Sequence, residues 1–225
     1  MRKVELSNEQ YYHVYNRGVD RRVTFTQKND YQRFLYLLHA CNDTQPILNS
    51  QFYYRGLASI EKRNRETIVD ILSFCLMPNH FHLLLRQRAD NGISRFMQKL
   101  GTGYTMYFNT KYQRSGSLFQ GTFKAIHIDE ETYLTHLTRY IHLNPLELKE
   151  PDWKEKGVKN WNESYKFVQS YPWSSFSDYI GQKRFGSILN KEVMDELYDR
   201  TQYESFTKEW AVKDLNLIRG YIDPL

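Results

Sequence analysis

Cysteine is nearly absent from this chain, with only Cys41 and Cys75 in 225 residues. Two thiols cannot build a disulfide framework, and no paired-cysteine zinc motif is available. Cys75 lies inside an apolar run and reads as a small core residue, not a reactive thiolate. Long apolar runs are also missing. The opening MRKVELSNEQ has no stretch of the kind a secretion signal needs, and the longest nearly apolar run, Ile68 to Met77, contains Asp70 and is too short to span a bilayer. The expected location is the cytoplasm. There is no internal repeat, no low-complexity linker, no G-x-S-x-G elbow, no P-loop and no G-x-G-x-x-G after a strand. Nor does any carboxylate pair suggest acid–base chemistry, since Glu130 and Glu131 are adjacent and diverge on a helix.

What the chain has in excess is aromatic and basic. Aromatics make up 16%, including 18 Tyr, and the net charge is +5 with a pI near 9.0. Cations neutralise phosphates and ring faces stack on unpaired bases, so this balance suits nucleic acid. It also suits a basic protein whose tyrosines fill a sheet. The charge is concentrated: Arg86, Arg88, Arg95, Lys99, Lys111, Arg114 and Lys124 face a single acid, Asp90, over that stretch.

The length allows one well-packed domain plus an appendage. YYHVYNRG (11–18) reads as a strand closed by Gly18. Asn29 or Asp30 can cap a helix running to about Ala40. Residues 42–67 are polar and ambiguous, with a strand expected near Phe52–Tyr54. Two strand-like runs, 68–77 and 80–87, flank Pro78-Asn79, a turn-forming pair that suggests a hairpin. Residues 92–113 read as a helix burying Ile93, Phe96, Leu100, Met106 and Tyr107, although Gly101 and Gly103 weaken it. A strand over 121–128 follows, then a helix capped by Asp129 and ending at Asn144, before Pro145. This order predicts an α+β fold with a mainly antiparallel sheet. We expect residues 1–145 to form the catalytic domain and 146–225 a mostly helical or irregular C-terminal appendage packed on the core, with a short helix near 191–200.

Two places could carry chemistry. His80 and His82 are two apart on a strand, so both imidazoles project from one face while Phe81 projects from the other. Neighbouring neutral imidazoles can bind a divalent metal, or can be two ordinary hydrogen-bonded histidines. On the helix 129–144, Leu134, Leu137 and Ile141 form the core stripe; Tyr133, Tyr140 and Asn144 form a second stripe beside it. Tyr140 reads as a nucleophile or as a core-edge tyrosine. Asn144 reads as a hard oxygen ligand or as a helix C-cap.

The ordered blocks YYHVYNRG, MPNHFHLLL, SGSLFQGTFKA, YLTHLTRYIHLNP and YPWSSFSDYIG, spread over roughly residues 11–181, resemble the single-tyrosine HUH transposases. Within that family they are most similar to the transposases associated with repetitive extragenic palindromes (REP). The resemblance implies a ferredoxin-like antiparallel sheet with helices on one side and the two histidines at its centre. It implies Tyr140 as nucleophile and Mg²⁺ or Mn²⁺ held by His80, His82 and Asn144, where many relatives carry Gln at the last position. It also implies cleavage and rejoining of single-stranded DNA near hairpins, through a 5′-phosphotyrosine with a free 3′-OH, by a monomer or homodimer. Arg95, Lys99, Arg114 and Lys124 become candidate DNA contacts, and Tyr104, Tyr112 and Phe119 candidate stacking surfaces or core residues. The alternatives are a domesticated hairpin-binding protein that does not cut, a metal-dependent hydrolase that uses water, and a replicative or conjugative nicking enzyme of the same class.

Overall fold

The computed structural model describes residues 4–45, 65–197 and 202–211. The strand expected near Phe52–Tyr54 lies outside them. Four strands, β1 (Tyr11–Arg17), β2 (Val69–Met77), β3 (His80–Gln87) and β4 (Lys124–Ile128), form one antiparallel sheet in the order β2-β3-β1-β4. Helix α1 (Lys28–Ala40) joins β1 to β2, and α2 (Gly92–Lys111) joins β3 to β4. This is the ferredoxin-like α+β arrangement the sequence predicts. Among the described residues no helix is long and apolar enough to cross a membrane.

Period-two alternation sends alternate residues of each strand to opposite layers. Phe81, between the two histidines, meets Phe34 of α1 and Phe119, whereas His82 meets Tyr140 of α3 (Glu131–Leu143). Helices α1 and α2 thus cover one face of the sheet, and α3 lies across the other. Gly103 faces Leu37 of α1, where an added Cβ would make an ordinary 3.5 Å contact with the leucine methyl. The buried side of α2 runs through Ile93, Phe96, Leu100 and Tyr104. Met106, expected inside, is 59% exposed, because the stripe advances by four from Leu100 to Tyr104 and turns Met106 outward.

The β2–β3 hairpin closes on Pro78 and Asn79, with Met77 paired to His80. A proline cannot adopt the positive φ of the usual primed hairpin turns, so this loop needs outside support. The segment after β1 supplies it. Thr24 and Phe25 donate backbone N–H groups to the Pro78 carbonyl, and Gly18 donates to the Asn79 carbonyl at 2.8 Å. Gly18 is required by closeness, since a Cβ there would lie 2.3 Å from the Arg22 carbonyl oxygen.

Three helix termini differ from expectation. α1 begins on a capping box in which Gln27 is the cap and Asp30 its partner at the third helical position. α3 has Glu130 at its N-cap and no side-chain cap; Asp129 falls outside because Ile128 is still held extended by pairing with Tyr11. At its other end the chain keeps helical angles at Asn144 and continues as a 3-10 helix, Asn144–Leu148. Pro145 fits in the first turn of that helix, where its missing N–H goes unused.

The C-terminal part contains α4 (Trp153–Lys156), α5 (Trp161–Ser170), α6 (Phe176–Tyr179), α7 (Lys191–Leu197) and α8 (Tyr203–Ala211). It covers α3 and the β2 edge. Leu76 donates to the Trp173 carbonyl, Ser175 donates to the Phe74 carbonyl, and the Tyr171 and Tyr179 hydroxyls donate to the carbonyls of Leu76 and Leu72. Trp173 stacks on Tyr31 of α1 at 4.5 Å. The YPWSSFSDY block thereby satisfies an edge that would otherwise expose a row of unpaired backbone groups.

Candidate active site on the α3 face of the sheet

His80 and His82 are 4% and 0% exposed, with ring centroids 5.0 Å apart. Each is anchored through Nδ1. His80 Nδ1 lies 2.7 Å from Asn79 Oδ1, and the amide nitrogen of Asn79 donates to the Arg21 carbonyl, which fixes the oxygen toward the ring. A carboxamide oxygen only accepts, so His80 carries its proton on Nδ1 and keeps a lone pair on Nε2. His82 Nδ1 lies 2.9 Å from Nε2 of His13, the same-face residue of β1 one pair away. Burial, reinforced by Arg17 and Lys154, lowers the His80 pKa to about 3. Burial followed by the neighbouring His80 and His13 holds His82 well below the usual range. Both rings are neutral at pH 7, the form that ligates metals.

Helix α3 brings Tyr140 over His82 and His13. Its ring, 0% exposed, stands edge-on to His82 at 5.7 Å and to His13 at 6.3 Å. Leu134, Leu137 and Ile141 are buried beside it as the expected core stripe. Asn144 is also fully buried, and its amide nitrogen donates to the Tyr140 carbonyl at 2.9 Å while its backbone N–H caps the same group. Capping therefore occupies the nitrogen end of the carboxamide and leaves the oxygen.

Among the described residues, His80 Nε2, His82 Nε2 and Asn144 Oδ1 are buried polar atoms without a hydrogen-bond partner. Each such atom costs about 1–3 kcal/mol if nothing meets it. All three are lone-pair donors that can hold a divalent ion; the carboxamide oxygen suits Mg²⁺ or Mn²⁺, whereas two imidazole nitrogens favour a transition ion, so of the two Mn²⁺ fits this mixed set better. No cluster of three His, Cys, Asp or Glu side chains able to hold a metal occurs among the described residues, so the carboxamide is essential to this set.

Several site residues were not legible in the sequence. His13 and Asn79 hold the two histidines. Arg17, paired with His80 across β1 and β3, has a buried Nε with no partner. Lys154 of α4 donates to the Tyr140 hydroxyl at 3.0 Å and pairs with Glu147. Burial opposes the Lys154 charge, but Tyr140 and Glu147 outweigh it and raise the pKa. The register of β1 would have revealed His13 and Arg17. Nothing in the sequence pattern singles out Lys154.

The basic stretch does not form one open surface. Arg86 pairs with Asp70 at 2.7 Å, Arg88 with Glu9 at 3.0 Å and Lys111 with Asp30 at 2.6 Å. Arg95 donates to the Thr44 carbonyl and Lys99 to those of Asp43 and Gln45. Arg114 bonds Asn109. Lys124 lies over the ring of Tyr15, which itself flanks His82, so among the four candidate DNA contacts it is linked most directly to the histidine face. Tyr104 and Phe119 are buried in the core, and the Tyr112 hydroxyl bonds Asp30, so these rings serve packing. Burial pushes the Cys41 thiol up to about 12 and Cys75 well above its usual range, as inert core thiols require.

No curated protein matches this chain. In structure it is similar to the REP-associated tyrosine transposase bound to a REP hairpin, at 14% identity and a TM-score of 0.52, over 89% of this chain and 88% of that one. At that identity the likeness concerns the fold. The family described as "Transposase IS200 like" matches residues 7–144, the span that holds all four strands, both histidines, Tyr140 and Asn144. The chain belongs to the IS200-like transposase family.

Proposed function

We propose that this transposase cleaves and rejoins single-stranded DNA near hairpins, using Tyr140 as nucleophile and a divalent ion held by His80, His82 and Asn144. The observation that carries this reading is that three buried lone-pair atoms, His80 Nε2, His82 Nε2 and Asn144 Oδ1, are unmet, with His82 edge-on to Tyr140 and Asn144 bonded to the Tyr140 carbonyl. When bound, Mg²⁺ or Mn²⁺ supplies positive charge at the scissile phosphate and orients it for in-line displacement.

The protein's own groups do the rest. Asn79 keeps the His80 lone pair on Nε2, and His13 can accept from His82 Nδ1, freeing the second Nε2. Tyr140 Oη forms a bond to phosphorus as the bond to the 3′-oxygen breaks. The phenolic proton passes to water, and the departing 3′-oxygen takes one up. The 5′-phosphotyrosine conserves the energy of the broken bond, so rejoining requires no nucleotide cofactor, in keeping with the missing nucleotide-binding motifs. Arg17 and Lys124 would meet DNA phosphates at this face in this reading, and Arg95, Lys99 and Arg114 would serve more distant parts of the strand. Residues 1–145 form the catalytic unit in this reading, and 146–225 an appendage that completes its surface.

The test is incubation with a labelled pool of single-stranded hairpins carrying randomised flanks, with Mn²⁺, followed by a denaturing gel. A covalent protein–DNA band that disappears in Tyr140→Phe is expected. Retained binding with no band under any metal would instead identify a hairpin-binding module, and cleavage that survives Tyr140→Phe a hydrolase.

A further inference from the structure

We infer that Lys154, tethered by Glu147, positions the Tyr140 hydroxyl and stabilises charge on its oxygen both when the bond to phosphorus forms and when it breaks. This rests on Tyr140 being the nucleophile, but it assigns a role to a segment outside the family match, which ends at residue 144.

The geometry is specific. The Lys154 ammonium donates to Tyr140 Oη at 3.0 Å and lies 4.7 Å from the ring centroid. An ammonium has three donors and no acceptor, so the phenolic oxygen must accept, which commits one lone pair and turns the remaining one elsewhere. Glu147 takes a second ammonium hydrogen. Without that carboxylate, a lysine with its side chain only 27% exposed would have a neutral phenol as its main partner, a poor exchange for water. Glu147 therefore fixes the cation in place, and the cation fixes the phenol.

Chain geometry explains how these residues meet. Glu147 lies in the 3-10 helix that extends α3 past Asn144, and Lys154 follows in α4 after a short turn. Trp153, 2% exposed, anchors α4 so that the next residue reaches back over Tyr140. The contact is charge-assisted and largely shielded from water, where a fixed positive group acts strongly on a developing or departing oxyanion. In cleavage the Oη–P bond forms and the P–O3′ bond breaks; in rejoining Oη is the leaving group and the electron pair returns to it. One lysine serves both directions, because both pass through the same bond.

The experiment measures single-turnover rates of adduct formation and of its resolution by an added 3′-OH strand, with saturating hairpin DNA and Mn²⁺. Lys154→Met should slow both steps by ~100-fold, the order found on removing one oxyanion donor. Lys154→Arg should recover most of the rate, and methylammonium should accelerate Lys154→Ala. Glu147→Gln keeps the lysine but loosens it, and should slow both steps by ~10-fold, a partial loss of the same interaction. Thermal unfolding of each variant separates misfolding from rate, and the methylammonium response reads the site even in a weakened fold.

An unchanged or faster rate in Lys154→Met would overturn the inference, the faster one by making the lysine a latch. So would a defect that appears only when hairpin DNA is lowered below saturation, or equal loss in Met and Arg variants without rescue. If the unaltered protein forms no Tyr140 adduct by mass spectrometry, the nucleophile reading falls and takes this one with it. An intact adduct with an indifferent Lys154→Met removes only the lysine.

Discussion

Two buried histidine sites lie on opposite sides of α3, and burial lowers the pKa to about 3 in His80 on one side and in His142 on the other. Their hydrogen bonds are not alike. His142 is fully satisfied, with Nδ1 at 2.7 Å from the Tyr203 hydroxyl and Nε2 at 2.8 Å from Ser175 Oγ. His80 and His82 are held only through Nδ1, and each leaves Nε2 unmet. A depressed pKa reports burial and does not separate a structural histidine from a ligand. The unmet Nε2 atoms are what distinguish this pair from His142 and what the proposed metal role would use, although Thr24 Oγ1 and Ser73 Oγ are buried and unmet as well.

The contrast can be broken most forcefully at the sheet. His80→Ala should reduce Mn²⁺-dependent adduct formation by ~10³-fold or more, the scale of several kcal/mol of lost charge stabilisation. Hairpin affinity measured by gel shift should stay mostly intact, and thermal stability without metal should fall by less than in His142→Ala, since lost packing and one lost hydrogen bond are partly offset by removing an unmet nitrogen. Adduct yield equal to that of the unaltered protein would end the metal role. His142→Ala should behave in the opposite way, lowering stability by about 3 kcal/mol through lost packing and two broken hydrogen bonds. Denaturant unfolding checks this, while the folded fraction still forms the adduct.

Smaller effects test the supports. Asn79→Ala or His13→Ala should weaken Mn²⁺ binding by about 10–100-fold, the usual range for a residue that orients a ligand. Calorimetry reads this directly, and unaltered affinity would leave both residues as packing only. The gentlest test is pH. His142 has a lowered folded pKa, so as the pH drops below about 6.5 the unfolded chain takes up the proton first. Its contribution is present above that value and drains toward about 3, at about 1.4 kcal/mol per pH unit. His142→Ala should flatten the acid limb of stability by that slope.

Much of this architecture was readable from periodicity. The strand pair 68–77 and 80–87, the shared face of His80 and His82, and the Leu134, Leu137, Ile141 stripe all follow from local spacing, which a chain carries in any context. Helix ends were read less well. Asp129 fails as a cap because a strand pairing with Tyr11 overrides it; inside α2, Met106 faces solvent because the buried stripe steps from Leu100 to Tyr104 and leaves it on the far side. At Asn144 the amide nitrogen takes a capping role, and the oxygen is left for the ligand role proposed for it.

The sequence by itself therefore determined the element order, the mainly antiparallel α+β fold and the histidine pair, because period-two and period-3.6 patterns are local properties. The ferredoxin-like form of the sheet and the singling out of Tyr140 came from the ordered motifs through the family they resemble. Only the tertiary structure decided which nitrogens are spent and which are left, that Arg95 and Lys99 hold a loop, and that Lys154 reaches Tyr140 from fourteen residues along the chain. Hydrogen-bond partners and ion pairs are set by strand register and by how distant segments pack. That information exists only once the chain has folded.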